Sequence, residues 1–324
     1  MITDEEPEHE LTPDRAFAVL GHETRLAILF ELWKQRCPDE HVPQHPMTFS
    51  ELRKAVEMRD GSQFNYHLKP LLGRFVRHDE DGYILRRQGE RVVSAIFAGA
   101  FTDEVVFDAV PNDKPCEICG GQTVFECNTD HTLGYFAIRC TECEGAFGGT
   151  GFDGALSLTE SLSPVGTRSR TPEEFYRALD VMVKHRIMSA VEGVCPDCTG
   201  TMSVTPQVCR DHHVEPGRRC ESCDSIFEVQ FAIVCDVCQL MYGIPSNRCL
   251  LTEPRMLVFL EDYDYDPWYD WILIELELVQ RQTVLSEDPF ELEMVLEADG
   301  DRLVATLDEK GAVTTLHRGG SLGA

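Results

Sequence analysis

The sequence predicts an α+β chain: an N-terminal winged helix-turn-helix, then zinc-ribbon modules, then a C-terminal antiparallel β-sheet. Three observations carry this expectation. Apolar residues recur at helical spacing through the first hundred residues, cysteines recur as C-x-x-C steps between 116 and 238, and apolar residues alternate with acidic ones in "FELEMVLE". The last pattern is the period-2 signature of a half-buried strand. The expected segments are 1–105 (DNA-binding, with a dimerisation helix), 106–160 (first ribbon), 161–193 (linking helix), 194–250 (a two-metal module) and 251–324 (α+β sheet).

Composition narrows the class. The 324 residues, 43% of them apolar, are enough for several domains. There are 29 basic and 56 acidic residues, a formal net charge of −27, and the basic set is 23 Arg with only 6 Lys. An acidic, lysine-poor surface stays hydrated where molar salt screens charge over very short distances. A halophilic archaeon's cytoplasm is the expected setting; the plainer alternative is an acidic protein that binds basic partners. No apolar run approaches the roughly 18 residues of a bilayer span, and "MITDEEPEHELTPDR" has no targeting character, so a cytoplasmic location and no membrane partner are expected.

The first elements are helical. "DRAFAVLGHETRLAILFELWKQ" spaces Leu26, Leu29, Phe30 and Trp33 as one buried face. In "MTFSELRKAV", Thr48 and Glu51 make a capping box ahead of an apolar stripe of Phe49, Leu52 and Val56. A second short helix begins near Ser62 in "SQFNYHLKPLLGRFV", with Leu68, Leu71, Leu72 and Phe75 inward. Its early residues Ser62, Gln63, Asn65, Tyr66, His67 and Lys69 are left for solvent, as in a helix-turn-helix whose second helix enters the major groove. "FVRHDEDGYILRR" reads as a hairpin turning at Asp81-Gly82, a wing with Arg86 and Arg87 at its base. "QGERVVSAIFAGAF" is an amphipathic helix suited to pairing subunits. Residues 53–91 hold 9 basic and 6 acidic side chains, so the one locally basic stretch coincides with this reading head.

The cysteines follow. Fourteen in an intracellular chain point to metal rather than disulfides. Cys116/Cys119 and Cys140/Cys143 have the spacing of a zinc ribbon, two knuckles joined by a hairpin that turns within 128–134. "TPEEFYRALDVMVKHRIMSAVEG" is then a helix capped by Thr171, with Pro172 first and Phe175, Leu179, Met182 and Val183 inward. In the second cluster Cys195 and Cys198 have two possible partners. Pairing them with Cys220/Cys223 repeats the first ribbon but leaves Cys235/Cys238 with Cys209/His212 across a long gap. The nested scheme puts Cys209, His212, Cys220 and Cys223 in an inner site and Cys195, Cys198, Cys235 and Cys238 in an outer one, with His213 a neighbouring alternative to His212. Cys37, Cys127 and Cys249 are left as buried, inert thiols. About three structural Zn²⁺ per chain are expected, each able to supply on the order of 10 kcal/mol of folding energy.

From Trp271 the chain reads as strands: "WILIELELV", "PFELEMVLEADG" and "DRLVATLDEKG". Residues 261–310 contain 16 acidic and 3 basic side chains, which excludes a second DNA surface there. Trp268, Tyr269 and Trp271 form the aromatic cluster best placed for a pocket, where a small effector or a partner from the transcription machinery would sit.

"AVLGHETRLAILFEL" resembles the opening helices of the ArsR-like winged-helix regulators, and "FNYHLKPLLGRFV" with its wing resembles their reading helix. The whole chain is similar to a group of haloarchaeal ArsR-type regulators with zinc-ribbon C-terminal parts. The resemblance implies DNA contact through Ser62, Gln63, Asn65, Tyr66 and His67, and phosphate contact through Arg86 and Arg87. Two departures stand out. "FSELRKAV" lacks the cysteine pair of the metal-sensing members, so arsenic or cadmium sensing is not implied, and Pro70 interrupts the reading helix.

The function expected is sequence-specific reading of double-stranded DNA by a homodimer that regulates transcription. The alternative is a zinc-ribbon adaptor that docks transcription proteins without reading sequence. An enzyme is not expected. The chain shows no phosphate loop or open metal site.

Overall fold

The computed structural model describes residues 12–36, 44–102, 106–128, 135–149, 153–160 and 164–320. The chain mixes helices with antiparallel sheets and divides into two compact units. The first comprises residues 1–103 with 163–165; the second comprises 104–162 and 166–324. No described helix is long and apolar enough to cross a membrane.

In the first unit α1 (Pro13–Leu20) starts on a proline after Thr12. The buried face of α2 (Glu23–Lys34) is Ile28, Leu29 and Leu32. This rotates the expected face: Phe30 and Trp33 are only half-buried and lie beside Phe97, with ring centres 5.3 and 6.2 Å away. The expected pattern followed the bulkiest side chains, whereas the core took the branched aliphatics one position away. Helix α3 (Phe49–Ala55) carries the full capping box: Thr48 N–H donates to Glu51 Oε2 at 2.8 Å, and Glu51 N–H donates back to Thr48 Oγ1 at 3.3 Å.

Helix α4 (Gly61–Leu68) is capped by Asp60, whose Oδ1 accepts from Gln63 N–H at 2.8 Å. It ends where Pro70 would break it, and a 3₁₀ turn, Lys69–Leu71, follows. Strands β1 (Val76–Asp79) and β2 (Gly82–Leu85) form the hairpin. Gly82 is required at its turn: φ is +136°, and a Cβ there would sit 2.5 Å from the Met47 carbonyl oxygen. Met47 and Tyr83 exchange both backbone hydrogen bonds, tying the α3 approach to the hairpin. Helix α5 (Arg87–Phe97) closes the unit, packing Val93 into a core with Ile28, Leu52, Phe64, Leu71 and Phe75.

The second unit holds three sheets. Strands β3 (Val106–Asn112), β4 (Thr123–Asn128), β5 (Tyr135–Cys140) and β6 (Ala155–Glu160) form an antiparallel meander. The predicted turn between β4 and β5 lies outside the described residues. Helix α6 (Pro172–Val191) has its own capping box on Thr171 and Glu174 and buries Phe175, Leu179, Ile187 and Ala190. Met182, expected inward, is 48% exposed. Strands β7 (Met202–Val208), β8 (Val229–Cys235) and β9 (Met241–Pro245) form the second sheet, followed by α7 (Ser246–Cys249) and α8 (Pro254–Asp262).

Residues 271–278 are helical rather than extended. A short α9 (Trp271–Leu273) runs into a π-helical turn, Ile274–Leu278. The apolar residues of "WILIELEL" fit both periods, and burial decides: Trp271, Ile274 and Leu278 fall on one side at i, i+3 and i+7. The last sheet runs β10 (Val279–Glu287), β11 (Phe290–Ala298), β12 (Asp301–Asp308), β13 (Val313–Gly320), all antiparallel. Along β11, Leu292, Met294 and Leu296 are buried while Glu291, Glu293 and Glu297 are exposed or partly so, and Val295 on the other face is buried as well. One core joins the end of α6, the β7–β9 sheet, α8 and this last sheet.

Candidate metal centres and nucleic-acid interface

Each C-x-x-C step at 116, 195, 220 and 235 folds the same way. The first cysteine's N–H donates to the carbonyl five residues on: Cys116 to Gly121, Cys195 to Gly200 and Cys235 to Leu240 at 2.8 Å, and Cys220 to Ser225 at 3.2 Å. Its carbonyl accepts from the residue four on, which takes a positive φ in every case: Gly120 75°, Thr199 61°, Asp224 52° and Gln239 62°. Only the first of these is glycine. Left-handed backbone at a non-glycine residue is uncommon and costs on the order of 1 kcal/mol or more. The turn is held there by what it accomplishes, the aiming of two sulfurs at one point.

The donors converge as three quartets, within each of which all ligand atoms lie inside 4.8 Å. Cys116, Cys119, Cys140 and Cys143 make the first, with Sγ–Sγ distances of 3.7 Å (116 to 143) and 3.5 Å (119 to 140). Cys195, Cys198, Cys235 and Cys238 make the second, with 195 to 238 and 198 to 235 both at 3.5 Å. Cys209, His212, Cys220 and Cys223 make the third; here His212 Nδ1 is 3.5 Å from Cys223 Sγ. The arrangement in the second cluster is therefore the nested one, and the adjacent His213 serves differently: its backbone N–H points at Cys220 Sγ from 3.4 Å.

Amide donors surround these sulfurs. The His213 N–H brings the Cys220 thiol down to about 6, and the Cys238 N–H, aimed at Cys235 Sγ from 3.4 Å, brings Cys235 down to about 6. Both favour the thiolate, the form that ligates a metal. Burial pushes other quartet thiols up, Cys116 to about 11 and Cys223 to about 12, as it does Cys127 (about 11) and Cys249 (about 12), which join no quartet. Cys37 lies outside the described residues.

The first and third quartets are neighbours. Phe147 bridges to Ser225, and Gly148 N–H donates to the Asp224 carbonyl at 2.8 Å, so the loop behind one knuckle pairs with the loop behind another. Of the aromatic cluster, Trp271 packs against Phe227 and Phe147 at this junction, Trp268 is buried in the main core and Tyr269 is half-exposed.

In the first unit the candidate DNA-facing residues divide. Ser62, Gln63, Asn65, Tyr66 and Lys69 are exposed, Tyr66 to 69%. His67 is not: it is 6% exposed, its ring 4.3 Å from that of His22, and its Nδ1 is buried without a hydrogen-bond partner. The physical reason is periodicity, since Phe64, His67, Leu68 and Leu71 lie at i, i+3, i+4 and i+7 and so form the inward stripe. His67 is thus withdrawn from the groove-facing set. Leu72, expected inward, is 37% exposed because the chain turns out of the 3₁₀ segment there. Arg86 and Arg87 leave the wing: Arg86 is the residue before α5, and Arg87 opens that helix with Nη1 3.2 Å from Glu90. The tip of the β1–β2 hairpin presents Glu80 and Asp81, beside Asp79, which pairs with Arg77 at 3.2 Å. Two exposed arginines around α4, Arg59 and Arg74, were missed; the basic bias of 53–91 was the available signal.

Two families match the chain. One, a domain of unknown function (DUF7347), matches residues 13–96; another, also a domain of unknown function (DUF7351), matches residues 113–313. The chain belongs to the second family, whose match covers more than half of its length. No curated protein and no solved structure gives a match.

Proposed function

We propose that this member of the DUF7351 family is a DNA-binding transcription regulator whose first unit is an ArsR-like winged helix-turn-helix and whose quartets hold structural zinc. The observation that carries the reading is the division of α4. One face is anchored by Phe64, His67 and Leu68, and the other offers Ser62, Gln63, Asn65 and Tyr66 to solvent. An exposed tyrosine among amides and a hydroxyl is costly decoration unless something covers it, and these side chains are those that read base edges. Lys69, with Arg59, Arg74, Arg86 and Arg87, supplies the exposed cations for phosphates. Three thiolates with an imidazole, or four thiolates, suit zinc, and a closed set of four leaves no position for a catalytic water. The regulator acts as a homodimer in the cytoplasm.

Selection from genomic fragments against random DNA in molar KCl tests this. Enrichment of an inverted repeat is expected, with Asn65→Ala weakening binding by about 10- to 100-fold, the cost of one lost base contact of ~1–3 kcal/mol. One observation favours a second reading: the acidic wing tip repels phosphate and suits a basic protein surface. Under that reading the chain is a zinc-ribbon adaptor, and selection enriches no sequence.

A further inference from the structure

The second unit encloses a cavity of about 600 Å³. Its walls come from three elements of that unit: Phe125, Ile138 and Leu156 on the β3–β6 sheet, Tyr176 on α6, and Tyr269 with Trp271 on the segment leading into α9. The aromatic rings meet edge and face: Tyr176 lies 5.3 Å from Phe125 and 6.2 Å from Tyr269, tilted at 62° to the latter. The volume falls in the range of small-molecule sites, whose walls are largely apolar with few polar groups.

One polar group is out of place. Glu117 lines the cavity, and its Oε2 is buried with no hydrogen-bond partner. An acceptor left so costs about 1–3 kcal/mol, and a native structure rarely keeps one without a use. Asp270 and Lys114 both stand close enough to act on Glu117, with opposite signs. Of the two cations on the lining, Arg177 is tied to Glu173 at 2.6 Å, and Lys114 sits over the Tyr269 ring at 4.7 Å. The cavity is therefore ring-walled with one unpartnered acceptor, a combination that packs the apolar body of an organic amine and offers its N–H groups a partner.

The geometry points to a binding site for a small organic amine, its apolar body held between Tyr176, Tyr269 and Trp271 and its nitrogen donating to Glu117 Oε2. A carboxylate of the same shape brings no N–H to Glu117 Oε2 and binds more weakly. The site lies wholly within the second unit, so it stands or falls apart from the DNA reading.

Calorimetric titration of the full chain with tryptamine and with indole-3-propionate, an acid of similar shape, decides it. Tryptamine is expected to bind at least tenfold more tightly than the acid. Ser157→Trp, which fills the cavity from β6 and touches no polar group there, is expected to abolish binding of tryptamine. Glu117→Gln keeps the shape and is expected to remove the preference between the two probes. Because Glu117 neighbours a quartet, Tyr269→Ala serves as the second variant, with tryptamine weakened severalfold and the circular dichroism of the wild type retained. Equal affinity for both probes, binding of neither, or tryptamine binding that survives Ser157→Trp overturns the assignment.

Discussion

The two units reach stability by different routes. The first closes one apolar core from helices and a hairpin, and its residues include a single cysteine, Cys37. The second spreads its residues over three sheets and inserts three donor quartets where the β3–β6 and β7–β9 sheets begin and end. In one unit, specificity comes from volume and shape. In the other, left-handed backbone turns at Thr199, Asp224 and Gln239 shape the knuckles that aim the ligands together. The contrast predicts that metal matters to one half of the chain and not to the other.

Metal removal is the largest expected effect. Each chain should bind three zinc ions by elemental analysis, and a strong chelator should unfold the β3–β6 and β7–β9 sheets, since each site supplies on the order of 10 kcal/mol. Helices α2 to α5 should keep their amide protection under the same treatment. Loss of protection in both halves together would break the comparison. The nested arrangement sharpens it further: Cys220→Ser should release one zinc and leave the outer quartet filled, an outcome that the alternative pairing does not allow.

Next in size is Phe64→Ala. Phe64 is fully buried beside Phe49, ring centres 4.9 Å apart, so its truncation should cost the first unit about 3–5 kcal/mol, the usual range for a large aromatic in a core. Denaturant unfolding followed by exchange in α2 and α4 reads the loss, and the zinc count should stay at three. A fall in zinc content would mean that the two halves do not hold themselves together separately.

The sequence made these halves legible to different depths. Cysteine spacing is a covalent fact with a short list of geometric solutions, so the knuckles could be read directly, while the nesting stayed one of two pairings that only the placed ligand atoms decide. Capping boxes were equally plain, because Thr48/Glu51 and Thr171/Glu174 are local patterns. What was hidden was phase. His67 and Phe64 belong to the inward stripe of α4, but a histidine among polar neighbours reads as surface, and the stripe shows only when it is traced back from Leu71 and Leu68. Residues 271–278 were hidden for a related reason: alternate apolar residues also satisfy a helix when tertiary burial selects every third or fourth. The cavity was legible in part: Tyr269 and Trp271, of the aromatic cluster expected to form a pocket, both line it, whereas Glu117 and Tyr176 are far from them in sequence and only the fold collects them.

A matched pair of substitutions compares the units at smaller scale. Thr48→Ala and Thr171→Ala each delete one capping box, at about 0.5–2 kcal/mol. In the first unit the loss should appear in full in its denaturant midpoint. In the second it should appear only after chelation, because the metal-loaded sheets unfold at higher denaturant than a frayed α6 can influence. Equal shifts with metal bound would show that the quartets do not dominate the second unit.

The smallest effect concerns acid. Burial first, then His22 and Arg25, hold the His67 imidazole below its ordinary value of 6.5. The unfolded chain then takes up a proton at a higher pH than the folded one, so stability rises with pH across the interval between the two values. The contribution is complete above about 6.5 and declines as pH falls from there through the folded value. His67→Leu removes both the titrating ring and its unpartnered Nδ1, so exchange protection in α2 and α4 should fall less between pH 7 and pH 5 than in the wild type. The second unit loses metal over the same interval because its ligands protonate, which is why the readout must be confined to α2 and α4. An unchanged pH slope in the variant would show that His67 already reaches a proton acceptor or water, and that the inward stripe of α4 is looser than its burial implies.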